Sequence, residues 1–169
     1  MHSSQFQLQN QYLTFRLATE TYGVRITDVL EVKAWEGVNA LPRTPAYVPG
    51  VTTVRGSVVP IVDLRMRLDL EEAEYGHSTV TIILRFVQNN KQSMYGIVVD
   101  AVSDVLDVDA GQIKPVPYLG NKDSQTIIDG IADTNGKMVI LLSTYEILSQ
   151  SEMTNLENRI NMHHRPEEI

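Results

Sequence analysis

Short alternating runs of apolar and polar residues dominate this chain. Tyr12 to Leu17 reads YLTFRL and puts Leu13, Phe15 and Leu17 on one side, the period-two pattern of a half-buried strand. Ala18 to Thr21 is a polar break and Tyr22 to Arg25 begins a return, so a hairpin is predicted. Asp28 to Ala34 fits either a short helix or a strand. Leu41 to Gly50 carries three Pro and is excluded from a sheet interior, while Thr44-Pro45 fits the start of one helical turn, Thr44 as its N-cap. Gly50 to Leu64 predicts a second hairpin turning at Arg55-Gly56, after which Asp63 suits the N-cap of a short helix, LRMRL. Glu71 to His77 is a charged loop. Val80, Ile82, Leu84 and Phe86 alternate through a strand, Asn89-Asn90-Lys91 breaks it, and Met94 to Asp100 returns. Asp109 and Gln112 have capping-box spacing, as do Ser143 and Glu146. Residues 114–125 read as a loop. Thr126 to Ala132 and Lys137 to Leu142 flank Asn135-Gly136, a type I′ turn signal. Met153, Leu156 and Ile160 follow at helical spacing; residues 1–10 and 161–169 read as frayed ends.

The chain also repeats itself. YGVRITDVLEV (22–32) matches YGIVVDAVSDV (95–105) at an offset of 73, and GVTTVRGSVVPIVD (50–63) matches GIADTNGKMVILLS (130–143) at an offset of 80. Matching blocks in one order imply two copies of a supersecondary unit, spanning 22–64 and 95–144. Many short strands with Gly, Pro and Asn breaks indicate all-β sandwich or barrel architecture, and two similar halves favour two small barrels with a seam between them.

Composition narrows the function. The chain has 169 residues and a net charge of −7, which disfavours nucleic acid and anionic lipid as partners. It has no Cys, which removes disulfides, thiol nucleophiles and thiolate metal sites. The N-terminal MHSSQFQLQNQ has no secretory pattern, and the longest apolar runs, VVPIV and MVILL, are too short to span a bilayer, so a cytoplasmic protein without direct membrane insertion is expected.

Chemistry is sparse. His2, His77, His163 and His164 lie in termini or a charged loop, where solvated side chains are the simpler reading than a metal site. ADTNG (132–136) approaches the Asp-Thr-Gly loop of aspartic proteases, but the inserted Asn breaks that motif and suits a turn. Asp63 and Asp100 each follow an apolar run; as a pair they would serve acid–base work in a hydrolytic or ligand-binding barrel, and as single residues they would cap strand ends. No phosphate-loop, dinucleotide or nucleophile-elbow motif is present. No catalytic residue, cofactor or metal is expected. Trp35, the sole Trp, is either core or an anchor for a partner, and Arg55, in an apolar hairpin, must reach water or a carboxylate.

YGVRITDVLEV, LPRTPAYVPGVTTVRGSVVPIVDLR, YGIVVDAVSDVLDV and IIDGIADTNGKMVILL together resemble the CheW family of chemotaxis coupling proteins, over residues 11–150. The resemblance implies two SH3-like five-stranded β-barrels with a hydrophobic core between them, a few short helices and a C-terminal helix and tail in 151–169. It implies a non-catalytic adaptor linking the cytoplasmic tips of methyl-accepting chemoreceptors to the regulatory domain of the histidine kinase CheA, or the same role in a pilus or other chemosensory-like pathway. It implies partner-binding roles for Val29, Glu31, Gly50, Arg55 and Val105. Many members end the second hairpin in Leu-Asp, where this chain has Leu142-Ser143.

Overall fold

The computed structural model describes residues 10–88, 90–117 and 126–163. The alternating runs become strands β1 (Gln11–Leu17), β2 (Glu20–Arg25), β3 (Val29–Ala34), β4 (Gly50–Val54), β5 (Ser57–Asp63), β6 (Val80–Gln88), β7 (Lys91–Val99), β8 (Ala101–Asp107), β9 (Ile113–Lys114), β10 (Ile128–Thr134) and β11 (Lys137–Leu142). The ambiguity at 28–34 resolves into a 3₁₀ turn, Ile26–Asp28, followed by β3. Helices α1 (Leu64–Arg67), α2 (Thr144–Ile147) and α3 (Gln150–His163) accompany the strands.

The strands form two sheets with the same internal order. One runs β8-β1-β2-β11-β10-β9, the other β3-β6-β7-β5-β4. The six-stranded sheet differs by the two-residue β9, whose place beside β10 is taken in the other sheet by a single bridge, Asn39 to Val51. The parallel pairings correspond as well: Ile61 lies opposite Gly96, and Leu141, 80 residues after Ile61, lies opposite Gly23, 73 before Gly96. Each YG block is divided between the sheets. The chain leaves β2 through the 3₁₀ turn to enter β3 in the other sheet, and it leaves β7 at Asp100 to enter β8. Neither sheet is therefore built from one continuous half of the chain.

Burial follows this exchange. Phe15, Leu17 and Val24 from one sheet join Ile82, Leu84, Tyr95 and Ile97 from the other in the main cluster, all fully buried. Two smaller clusters are confined to single sheets: Tyr12, Val139 and Leu141 in one, Val54, Val59 and Ile83 in the other. The largest core thus lies between the sheets. Helix α3 closes it with Met153 and Leu156, and Ile160 is buried on the same stripe. The helix is fixed by Glu157, 3.0 Å from Lys91 Nζ, and by Arg159, which donates to the carbonyls of Pro42 and of Arg43, the latter at 3.1 Å.

Local signals held at some positions and failed at others. Arg55-Gly56 and Asn135-Gly136 both turn with two positive φ angles, 51° and 81° in one and 54° and 81° in the other, as a type I′ turn requires. Asp63 caps α1 by accepting from Met66 N at 3.3 Å, and Gln112 reaches back to Asp109 N at 2.9 Å. Ser143 makes no side-chain cap at α2. The reciprocal box belongs instead to Ser149 and Glu152, two 3.2 Å bonds at the start of α3. Thr144 anchors α2 by donating to Asp28 Oδ2 at 2.8 Å. Thr44 is not an N-cap: its hydroxyl donates to Val48 O at 2.7 Å across a single turn. The C-terminal helix continues to His163, past the point where fraying was expected, and residues 164–169 and 1–9 lie outside the described residues.

Candidate functional site

The five-stranded sheet carries four of the five residues singled out above. Val29 and Glu31 lie on β3, Gly50 begins β4, and Arg55 turns from β4 to β5. Strands β3 and β4 stand at opposite ends of the sheet order, yet Arg55 Nη2 comes within 3.8 Å of Glu31 Oε2. The sheet therefore curls until its ends face each other, the closure expected of a barrel. A register shift between Val29 and Glu31 assists this. Successive strand residues face opposite ways, so Val29 packs on the inter-sheet core while Leu30 enters the small cluster with Val54, Val59 and Ile83. The Arg55 side chain is 62% exposed and Glu31 is 34% exposed, so their attraction is screened and worth little as stability. The pair holds a guanidinium fork at a turn tip with most of its donors facing solvent, a geometry suited to a partner carboxylate.

Gly50 plays a different part. It is buried, and a Cβ there would lie 2.3 Å from Asn39 O. The obstacle is the chain segment bridged to β4, not the turn. Gly130, 80 residues on, meets the same constraint from Lys114 O and Ile113 beside β10. Two sheets with two such glycines at the same place indicate a packing requirement of the fold.

Val105 stands apart. It lies on β8 in the other sheet, opposite Leu13, and is 51% exposed. Its counterpart at the 73-residue offset is Val32, on β3 one residue from Glu31 and 43% exposed. The repeat of the sequence itself aligns Val32 with Val105.

Trp35 is half-buried, and its ring centroid is 4.5 Å from that of Tyr75. Tyr75 comes from the charged loop and donates to Asp63 Oδ2 at 2.5 Å. Burial, with the hydrogen bond to Asp63 and its charge, pushes the Tyr75 hydroxyl well above the usual phenol range. Trp35 is thus covered by the chain's own loop and is no free anchor.

The acid–base pair dissolves under the same inspection. Asp63 caps α1 and accepts from Tyr75. Asp100 accepts from Arg65 Nε and Nη2 at 2.8 and 2.5 Å and from Ala18 N at 2.8 Å. Burial alone would raise its pKa; the Arg65 and Ala18 hydrogen bonds and the Arg65 charge outweigh this and hold it below the ordinary carboxylate value. A carboxylate held this firmly is a poor proton carrier near neutrality. Its role is a clamp, joining α1 and the β1–β2 turn to the point where β7 becomes β8. Among the described residues no group of three or more His, Asp or Glu is placed to hold a metal ion.

A group whose folded pKa is depressed stabilises the fold above its unfolded value, near 3.8, and loses that contribution as the pH falls through the folded value. Asp100→Asn is expected to cost about 1–2 kcal/mol at pH 7, the range of a charge-assisted hydrogen bond reduced for partial exposure. Urea unfolding of both proteins at pH 7 and at successively lower pH checks this: the gap should narrow as the solution is acidified.

The CheW-like domain model matches residues 11–152 of the chain. The chain belongs to the CheW family. Among CheW relatives, the chemotaxis protein CheW of Klebsiella aerogenes is 36% identical over 153 residues, covering 90% of this chain and 90% of that one. Protein FrzA of Myxococcus xanthus is 28% identical over 149 residues, covering 88% and 91%. The crystal structure of the scaffolding protein TtCheW from Thermoanaerobacter tengcongensis superposes with a TM-score of 0.75 at 27% identity, covering 90% of this chain and 96% of that one. The two sheets described here are the two SH3-like subdomains of the CheW fold.

Proposed function

We propose that the protein is a non-catalytic adaptor that couples the cytoplasmic tips of methyl-accepting chemoreceptors to the regulatory domain of the histidine kinase CheA. The observation that carries this reading is membership of the CheW family joined to the separation of its exposed residues. Glu31 and Arg55 sit on one subdomain and Val105 on the other. A coupling protein needs two surfaces that can be occupied together, and moderate affinity at each is multiplied when many copies are arrayed. Val29, Glu31, Arg55 and Val105 are the proposed contact residues, with Val32 added by its equivalence to Val105; Gly50 acts through the fold. No described helix is long and apolar enough to cross a membrane. The proposed location is the cytoplasm, with recruitment to membrane-associated receptor arrays. The relatives include both CheW and FrzA, so the proposal concerns the coupling role and leaves the pathway open.

The test is a competition experiment with purified pieces. The protein should bind a soluble receptor-tip fragment and a kinase regulatory domain, and saturation with one should leave the other bound. Mutual displacement would reduce it to a one-site module.

A further inference from the structure

Two surface cavities repeat one another at the 80-residue spacing. Met66, Asp69 and Glu72 line one of about 430 Å³, and Glu146, Ser149 and Glu152 line another of about 390 Å³. The short helices α1 and α2 contribute Met66 and Glu146 respectively.

The two have diverged in chemistry. The Glu146 cavity is polar and carries its own cation, Arg67. That guanidinium is already engaged, donating from Nε to Ile147 O at 2.7 Å and lying 4.9 Å from the centre of the Tyr47 ring. The Met66 cavity has no cation in its lining, although it shares Tyr47, the ring against which Arg67 lies, with its neighbour. Pro45, Ala46 and Leu70 add apolar surface beside Met66, and the exposed carboxylates of Asp69 and Glu72 stand with them. The nearby Arg65 does not neutralise them, because it holds both oxygens of Asp100 and the carbonyl of Glu71. The cavity is therefore apolar in its surface and unbalanced in its charge.

We propose that the Met66 cavity docks a partner protein segment that presents an apolar side chain flanked by lysine or arginine. An open apolar surface gains by covering, and one or two side chains suit its volume. The uncompensated carboxylates select the flanking cations, whose aliphatic stems extend the apolar contact. None of Val29, Glu31, Arg55 or Val105 lines this cavity, so the surface is additional to the coupling surfaces.

Amide chemical shifts of the full-length protein would test this, with the peptide acetyl-Lys-Leu-Leu-Lys-amide as probe and acetyl-Glu-Leu-Leu-Glu-amide as control. Saturable shifts are expected at Ala46, Tyr47 and residues 66–72, weakening with salt, absent with the acidic peptide and reduced about fivefold or more in Glu72→Lys and in Asp69→Lys/Glu72→Lys, each checked for folding by circular dichroism. The idea is overturned by the absence of saturable shifts at millimolar peptide, by equal shifts with the acidic peptide, by unchanged binding in both variants, or by shifts centred on Glu146 to Glu152.

Discussion

Gly50→Ala is expected to lower stability by about 3 kcal/mol, the upper part of the range for forcing a group into occupied space. The added Cβ would meet Asn39 O at 2.3 Å, Asn39 C at 2.7 Å and Ala40 Cα at 3.1 Å. All three are backbone atoms, so no side chain can rotate away. Relief requires parting the bridge in which Asn39 N and Val51 N each donate to the other residue's carbonyl at 2.8 Å. Gly96 makes a useful contrast: its nearest neighbour at 2.6 Å is Ile61 Cδ1, the tip of a flexible side chain, and Gly96→Ala should be milder. Gly76 has nothing within 4 Å, and Gly76→Ala should be close to neutral. Urea midpoints of the three variants order them. Loss of partner binding in Gly50→Ala should track loss of folded protein; a variant as stable as the parent that has lost one partner would show that Gly50 touches that partner.

Arg55→Glu is expected to do the reverse, leaving the fold within about 1 kcal/mol of the parent while weakening partner binding tenfold or more. The side chain is largely in solvent and its one ion pair is long, so little internal structure depends on it. Reversing its charge places a second carboxylate beside Glu31 and turns a donor fork into an acceptor. The double variant Arg55→Glu/Glu31→Arg separates two explanations. It restores the internal pair with its ends exchanged, so recovery of binding would mean that the pair only shapes the surface, whereas continued loss would place Arg55 or Glu31 itself in contact with a partner. Isothermal titration against receptor-tip and kinase fragments, with circular dichroism as the fold control, reads both.

The strands were legible because their period is local. YLTFRL and VTIILRF alternate whatever their neighbours do, and Asn135-Gly136 announces a turn because both residues tolerate positive φ. What was not legible was which strand joins which sheet. The repeat reads as two successive halves, but the chain crosses between sheets inside each YG block, and the pairings β1–β8, β3–β6, β5–β7 and β2–β11 all join strands of different halves. Long-range polar contacts were equally hidden. Glu31 and Arg55 come from opposite ends of the sheet order, and Arg65 meets Asp100 across 35 residues. Asp63 and Asp100 looked alike after similar apolar runs, and their partners made one a helix cap and the other an inter-element clamp. Ser143 failed as a cap where Asp63 succeeded, although the repeat placed them at one position. The substitution of a hydroxyl for a carboxylate went with a different anchor, Thr144 on Asp28.

The central claim is that this two-subdomain protein brings a kinase to receptors by binding both and changing neither. Co-sedimentation of CheA with liposomes bearing receptor cytoplasmic fragments, with and without the protein, measures this most directly. Kinase should pellet in proportion to added protein up to saturation, and the Arg55→Glu variant should shift that curve to higher concentration. Kinase that pellets equally in the protein's absence, or that stays in solution at every concentration of it, would contradict the account.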